Sequence, residues 1–117
     1  MSEKREIMHG GAERLPVNWI NVTQPPVRIA RYLVAPDKTV SLHVHTGKVE
    51  YWFIVEGEGR VRIGETHLDV REGDVVVTPP TVPHGLTNTG TEPLVFLNIV
   101  QPIGNEPITS TELESKD

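Results

Sequence analysis

The sequence predicts an all-β fold, a single antiparallel sandwich or barrel, on three observations. A chain of 117 residues makes one domain at roughly 100–200 residues per domain. Ten Gly and ten Pro argue against long helices and supply turns. Between them, short β-branched runs alternate with turn signals at close spacing.

Taken in order, residues 1–14 are polar and Gly-containing and are expected to form a flexible leader. The barrel domain is expected over 15–103. Strands are predicted near 27–34, 40–46, 49–56, 59–63, 66–70, 74–78, 84–88 and 94–101, with an extra one at 17–22. Pro36-Asp37 suits the middle of a type I turn. Gly64-Glu65 suits a two-residue II′ hairpin, and Glu72-Gly73 and Thr89-Gly90 mark further turns. Residues 104–117 are acidic and rich in Ser and Thr, and are expected to be a loose tail in which Thr111-Glu112-Leu113-Glu114 can open a short helical turn.

A strand's period of two assigns faces. In 40–46, Ser41, His43 and His45 share one face, with Val40, Leu42 and Val44 on the other. In 49–55, Glu50, Trp52 and Ile54 share a face, opposite Tyr51, Phe53 and Val55. Read as a central hairpin, the pair is apolar on both sides. If the His and Glu face turns inward, Leu42, Val44, Tyr51, Phe53 and Val55 turn outward. A patch that large is rarely left in water, so the leader or a second subunit covers it; a homodimer is expected.

Charge and composition exclude several function classes. Eleven basic against sixteen acidic residues leave a net charge of −5, which repels phosphate backbones and argues against nucleic-acid partners. With no Cys, disulfides, thiolate metal sites and cysteine nucleophiles are out. No apolar run approaches 18 residues and the first eleven residues hold no apolar core, so no membrane partner and a cytoplasmic address are expected.

The residues that carry chemistry are histidines and one glutamate. His43 and His45 stand side by side on one strand face. Glu50 follows on the next strand, and His84 comes far downstream after Pro79-Pro80 and Pro83. Three imidazoles and a carboxylate converging in a barrel make an N3O site for one divalent transition metal: iron, manganese, nickel, copper or zinc. Four protein ligands leave an octahedral ion open positions for water, O2 or a chelating substrate.

The spacing resembles the two motifs of the cupin family. The first, G-x5-H-x-H-x3/4-E-x6-G, is met by His43, His45, Glu50 and Gly57, with Asp37 at the first glycine. The second, G-x5-P-x-G-x2-H-x3-N, is met by Gly73, Pro79, His84 and Asn88, with Thr81 in place of the middle glycine. The resemblance runs from Asp37 to Asn88. It implies a small jelly-roll barrel with His43, His45, Glu50 and His84 on one metal, often dimeric. By family analogy Glu50 is also the candidate catalytic group, detaching to take a proton. The stretch from Glu50 to Gly59 is also similar to the cupin domain of type II mannose-6-phosphate isomerases.

Around the metal, Tyr32, Trp52, Phe96 and Asn98 are the candidate substrate-pocket residues. Asn88 reads as a turn residue near His84, and His67, Arg60, Arg62 and His9 read as solvated. No Lys, Ser or second carboxylate is placed beside the metal. A metal-dependent enzyme on a small organic substrate is therefore expected. Open metal positions and an apolar pocket favour an Fe(II) dioxygenase. A Lewis-acid sugar or hydroxy-acid isomerase, epimerase or lyase is the alternative, and a non-catalytic ligand-binding cupin the third reading.

Overall fold

A computed structural model describes residues 5–114. Eleven strands follow one another: β1 Glu6–Ile7, β2 Glu13–Pro16, β3 Arg28–Val34, β4 Thr39–Thr46, β5 Lys48–Glu56, β6 Glu58–Ile63, β7 Thr66–Arg71, β8 Val75–Thr78, β9 His84–Asn88, β10 Leu94–Pro102 and β11 Thr109–Glu112. They form two antiparallel sheets, one ordered β1-β2-β3-β10-β5-β8 and the other β11-β4-β9-β6-β7. The all-β jelly-roll expectation holds. Among the described residues, no helix is long and apolar enough to cross a membrane.

The core lies between the sheets. Val34, Trp52, Ile54, Leu94 and Phe96 come from one side and Val40, Val61 and Leu86 from the other. Phe96 stacks on Tyr32 with ring centroids 4.8 Å apart and touches Trp52 at 5.0 Å. Such offset aromatic contacts add to the area they bury.

Both ends of the described chain depart from expectation. The leader is not loose throughout: β1 pairs with β2, and β2 pairs along β3. The extra strand expected at 17–22 lies instead at Glu13–Pro16. The tail contributes β11, which pairs with β4, where a helical turn was expected. All four β11 side chains are exposed, so no buried stripe announced a strand.

The expected central hairpin does not exist. Only Gly47 separates β4 from β5, and the chain changes sheet there, so the two strands face each other across the core. Gly47 has φ +78°, and a Cβ on it would lie 2.3 Å from the Pro107 carbonyl oxygen, which only glycine tolerates. The outward apolar residues therefore split. Tyr51, Phe53 and Val55 lie outside one sheet, whereas Leu42 and Val44 lie outside the other, beside β11.

A β-bulge also breaks the strict alternation in β4. Val40 pairs with Leu86 and His43 with His84, so three steps on β4 match two on β9. Val40 and His43 thus turn to the same side, although their spacing placed them on opposite faces. The bulge presses on Gly85, where a Cβ would meet the Val40 carbonyl oxygen at 3.0 Å.

Turn chemistry is partly as read. Gly64 has φ +59° while Glu65 does not enter the positive region, which matches II′. The Ala35–Lys38 turn closes through Lys38 N–H to Ala35 O at 3.0 Å, but Asp37 has φ +73°. Positive φ at the third turn position makes it type II rather than type I. Asp37 and Thr81, the two residues standing at family glycine positions, are the two non-glycine residues with positive φ among those described.

Candidate metal centre

The corner at Gly47 brings the donors together. β4 carries His45 to one wall, and β5 returns with Glu50 on the opposite wall. β9, paired to β4, adds His84. Ligand atoms of His45, Glu50 and His84 lie within 4.8 Å of one another, and all three residues are buried. His45 Nε2 stands 3.8 Å from Glu50 Oε2. His43 stands outside that tight set but adjoins it, its ring centroid 4.3 Å from His84 and 6.2 Å from His45.

Second contacts orient the rings. Nδ1 of His43 lies 2.8 Å from the Ser41 carbonyl oxygen, and Nδ1 of His84 lies 3.0 Å from that of Val82. A carbonyl only accepts, so both Nδ1 atoms carry the proton and both Nε2 atoms keep a lone pair. This is the arrangement that metal-ligating imidazoles adopt. Nε2 of His84 is buried with no hydrogen-bond partner, as is Nδ1 of His45. A buried orphan acceptor costs about 1–3 kcal/mol unless something fills the vacancy in its coordination. A divalent cation fits that need and the nitrogen–oxygen donor set.

Burial and charge keep the donors ready. Burial, helped by His43 and His45, lowers the His84 imidazole to about 4. Burial lowers His45 as well. Burial pushes the Glu50 carboxyl up, but the Lys48 ammonium, 2.9 Å from Oε2, overcomes this with help from His45, and the group lies below its ordinary value. The indole N–H of Trp52 donates to Glu50 Oε1 at 3.1 Å. At neutral pH the set is two neutral buried imidazoles and one carboxylate, the protonation states metal binding needs.

Of the expected pocket residues, Tyr32, Trp52 and Asn98 line the clefts beside Glu50, and β10 turns Phe96, Asn98 and Val100 inward. Phe96 is in the core behind them. Asn88 is a turn residue as read: Nδ2 donates to Val34 O and Glu92 O, and Oδ1 accepts from the Gly90 N–H. His67 is exposed. His9 is not simply solvated; its ring bonds Ser41 Oγ at 2.7 Å, beside Glu112, at the rim of the cleft over His43.

Two polar neighbours escaped the sequence reading, and Ser41, already placed on the His43 face, joins them. Lys48 sits two residues before Glu50, hence on the same face, and that spacing alone could have found it. Arg14 arrives on β2 opposite Tyr32, a strand with no legible pattern. Ser41 lies at the rim, where its hydroxyl bonds His9 and Glu112. The clefts here are therefore more polar than the apolar pocket expected.

A family model described as a cupin domain matches residues 30–100. The chain belongs to the cupin family. Over 71 residues this cupin is 34% identical to an oxalate-binding protein of Thermotoga maritima, covering 61% of this chain and 59% of that one. The chain spans less than two thirds of the length of the first curated relatives it matches. Among solved structures, a predicted oxalate decarboxylase from Thermotoga maritima superposes with a TM-score of 0.76 at 27% identity, over 87% of this chain and 93% of that one. A cupin 2 conserved barrel domain protein from Rhodopseudomonas palustris superposes at 0.71 and 24% identity, over 93% and 72%, a likeness of fold.

Proposed function

We propose that this cupin binds one divalent transition metal through His43, His45, Glu50 and His84 and takes a small chelating carboxylate beside it. The observation that carries the reading is the buried, unpartnered Nε2 of His84 facing His45 and Glu50. When bound, such an ion supplies Lewis acidity and open positions for a ligand's oxygens. The chain's own residues do the rest. The carbonyls of Ser41 and Val82 fix two ring tautomers, and Trp52 and Lys48 hold the Glu50 carboxylate in place. Lys48 puts a positive charge at the mouth, which favours an anionic ligand. The similarity to an oxalate-binding protein supports the carboxylate class. If the bound acid turns over, Glu50 is the proton acceptor.

An Fe(II) dioxygenase is a second reading, favoured by the Trp52 and Val40 wall beside His43. Metal content by plasma mass spectrometry, calorimetric titration of the metal-loaded protein with oxalate, and oxygen uptake with iron loaded separate the two. Stoichiometric metal with oxalate binding and no oxygen uptake is the expected result; absence of both metal and oxalate binding overturns the first reading.

We also propose a homodimer, with the contact placed on β8. This strand ends its sheet among the described residues, and Val75 and Val77 on it are 57% and 49% exposed. The Ile54 N–H bonds the Asp74 carbonyl, so in the antiparallel ladder Val76 pairs inward and the peptide groups of Val75 and Val77 point to the open edge. A second copy across a two-fold axis continues the sheet along this edge.

A further inference from the structure

We propose that Arg14, Tyr32, Lys48 and Asn98 form a second subsite facing the metal centre, which selects a hydroxy-dicarboxylate over a simple chelating acid. This rests on the carboxylate reading above. The four residues come from four strands of one sheet: Arg14 on β2 opposite Tyr32 on β3, Asn98 on β10 opposite Trp52, and Lys48 on β5. Together with Glu50 they line one cleft of about 580 Å³, large enough for an acid of four or five carbons.

Charge points to an anion. In a chain of net charge −5, this cleft gathers Arg14, Arg28 and Lys48 against Glu6 and Glu50. Glu6 pairs with Arg14 and Glu50 with Lys48, which leaves Arg28 as the surplus cation before any metal adds its own charge. A cavity of one sign with low-dielectric walls concentrates ligands of the other sign.

The amide of Asn98 points to a hydroxyl. Asn98 is 7% exposed, and its Oδ1 is buried with no hydrogen-bond partner. A carboxylate cannot satisfy an oxygen acceptor, but a hydroxyl can. Tyr32 supplies the complementary donor. Burial raises its hydroxyl above the ordinary value while Arg14 and Asn98 beside it draw it back, and it keeps its proton at neutral pH. A ligand with one acid group at the metal, a hydroxyl at Asn98 and a second acid group at Lys48, Arg14 and Tyr32 matches these groups, with the exposed Arg28 adding to the field.

Calorimetric titration of the metal-loaded protein with malate, succinate and oxalate tests this. Malate is expected to bind at least tenfold tighter than succinate. Asn98→Leu is expected to abolish that preference and leave oxalate within twofold. Arg14→Gln is expected to weaken malate and succinate about tenfold and again spare oxalate. Thermal melts of both variants check folding, and Arg14→Gln, at a half-buried site, keeps the test open if Asn98→Leu does not fold. Malate binding no tighter than succinate, or variants that weaken oxalate as much as malate, overturns the subsite. If oxalate fails to bind but malate binds and responds to Asn98→Leu, the chelation reading falls and the subsite stands; if neither acid binds, both fall.

Discussion

The backbone N–H of Thr81 donates to the carbonyl oxygen of His45 at 2.8 Å. A turn residue in the left-handed region is thus tied directly to a donor of the metal centre. Thr81 has φ +66°, and a β-branched residue there is strained by about 1–2 kcal/mol. The hydrogen bond to His45 helps hold it in that conformation, so turn and site share one constraint.

Thr81→Gly should relieve this strain. Part of the gain is offset by the added freedom of glycine in the unfolded chain, and a net stabilisation of about 1 kcal/mol is expected, a rise of a few degrees in the thermal midpoint. Asp37→Gly should gain less, since Asp enters the left-handed region more readily. A thermal melt of the two variants side by side checks the order.

Removing a donor should empty the site without unfolding the barrel. His84→Ala and Glu50→Gln are each expected to lower bound metal at least tenfold after dialysis, while far-ultraviolet circular dichroism stays β-rich. His43→Ala should have a smaller effect than His84→Ala, because His43 lies outside the tight set. Metal-to-protein ratios across the series give the ranking.

The metal-stripped protein should lose stability in acid over a defined window. The folded His84 imidazole titrates at about 4, against an ordinary value of 6.5. The unfolded chain therefore takes up a proton first, and the neutral ring's contribution is whole above pH 6.5 and falls away as pH drops toward 4. His45 is shifted the same way. The loss from His84 alone is about 3 kcal/mol. Urea midpoints at pH 7.5, 5.5 and 4.5 should fall in that order.

Lys48→Met should tighten metal binding at pH 7.5, several-fold, because it removes a cation 2.9 Å from the ligating carboxylate. It should also raise the Glu50 carboxyl and weaken oxalate. Competition titrations with a chelator of known affinity measure the first effect, and calorimetry the last.

Val77→Arg should break the proposed dimer by charging the open edge of β8. Sedimentation of the unaltered protein is expected near twice 13.0 kDa, and of the variant near 13.0 kDa. A wild-type value at the monomer mass would sink the assignment.

Much of this was legible in the chain because it rests on local rules. Alternation found eight of the strands within a residue or two, and the spaced histidines and Glu50 pointed to residues of which the fold gathers His45, Glu50 and His84. What escaped has one physical character. Gly47 carries the chain between sheets, and a single glycine does not say whether a tight turn or a corner follows. The bulge at Ser41 and Leu42 is accommodated by the missing side chain of Gly85, 43 residues after Leu42. β11 lies at a sheet edge and β2 one strand in from one, both with mostly unburied side chains, so no periodicity marks them. Lys48, two residues before Glu50, follows from the same alternation that places Ser41 beside His43.

The corner at Gly47 has one more effect. His45 and Glu50 sit on opposite walls yet are joined by only four intervening residues. Breathing of the two layers cannot part them far, whereas His84 reaches them only through noncovalent pairing. One half of the candidate site is therefore tethered by covalent chain and the other half by folding. Lengthening the 46–48 link by a residue would slacken this tether while β10, β8 and the buried Trp52 and Ile54 keep the β5 register.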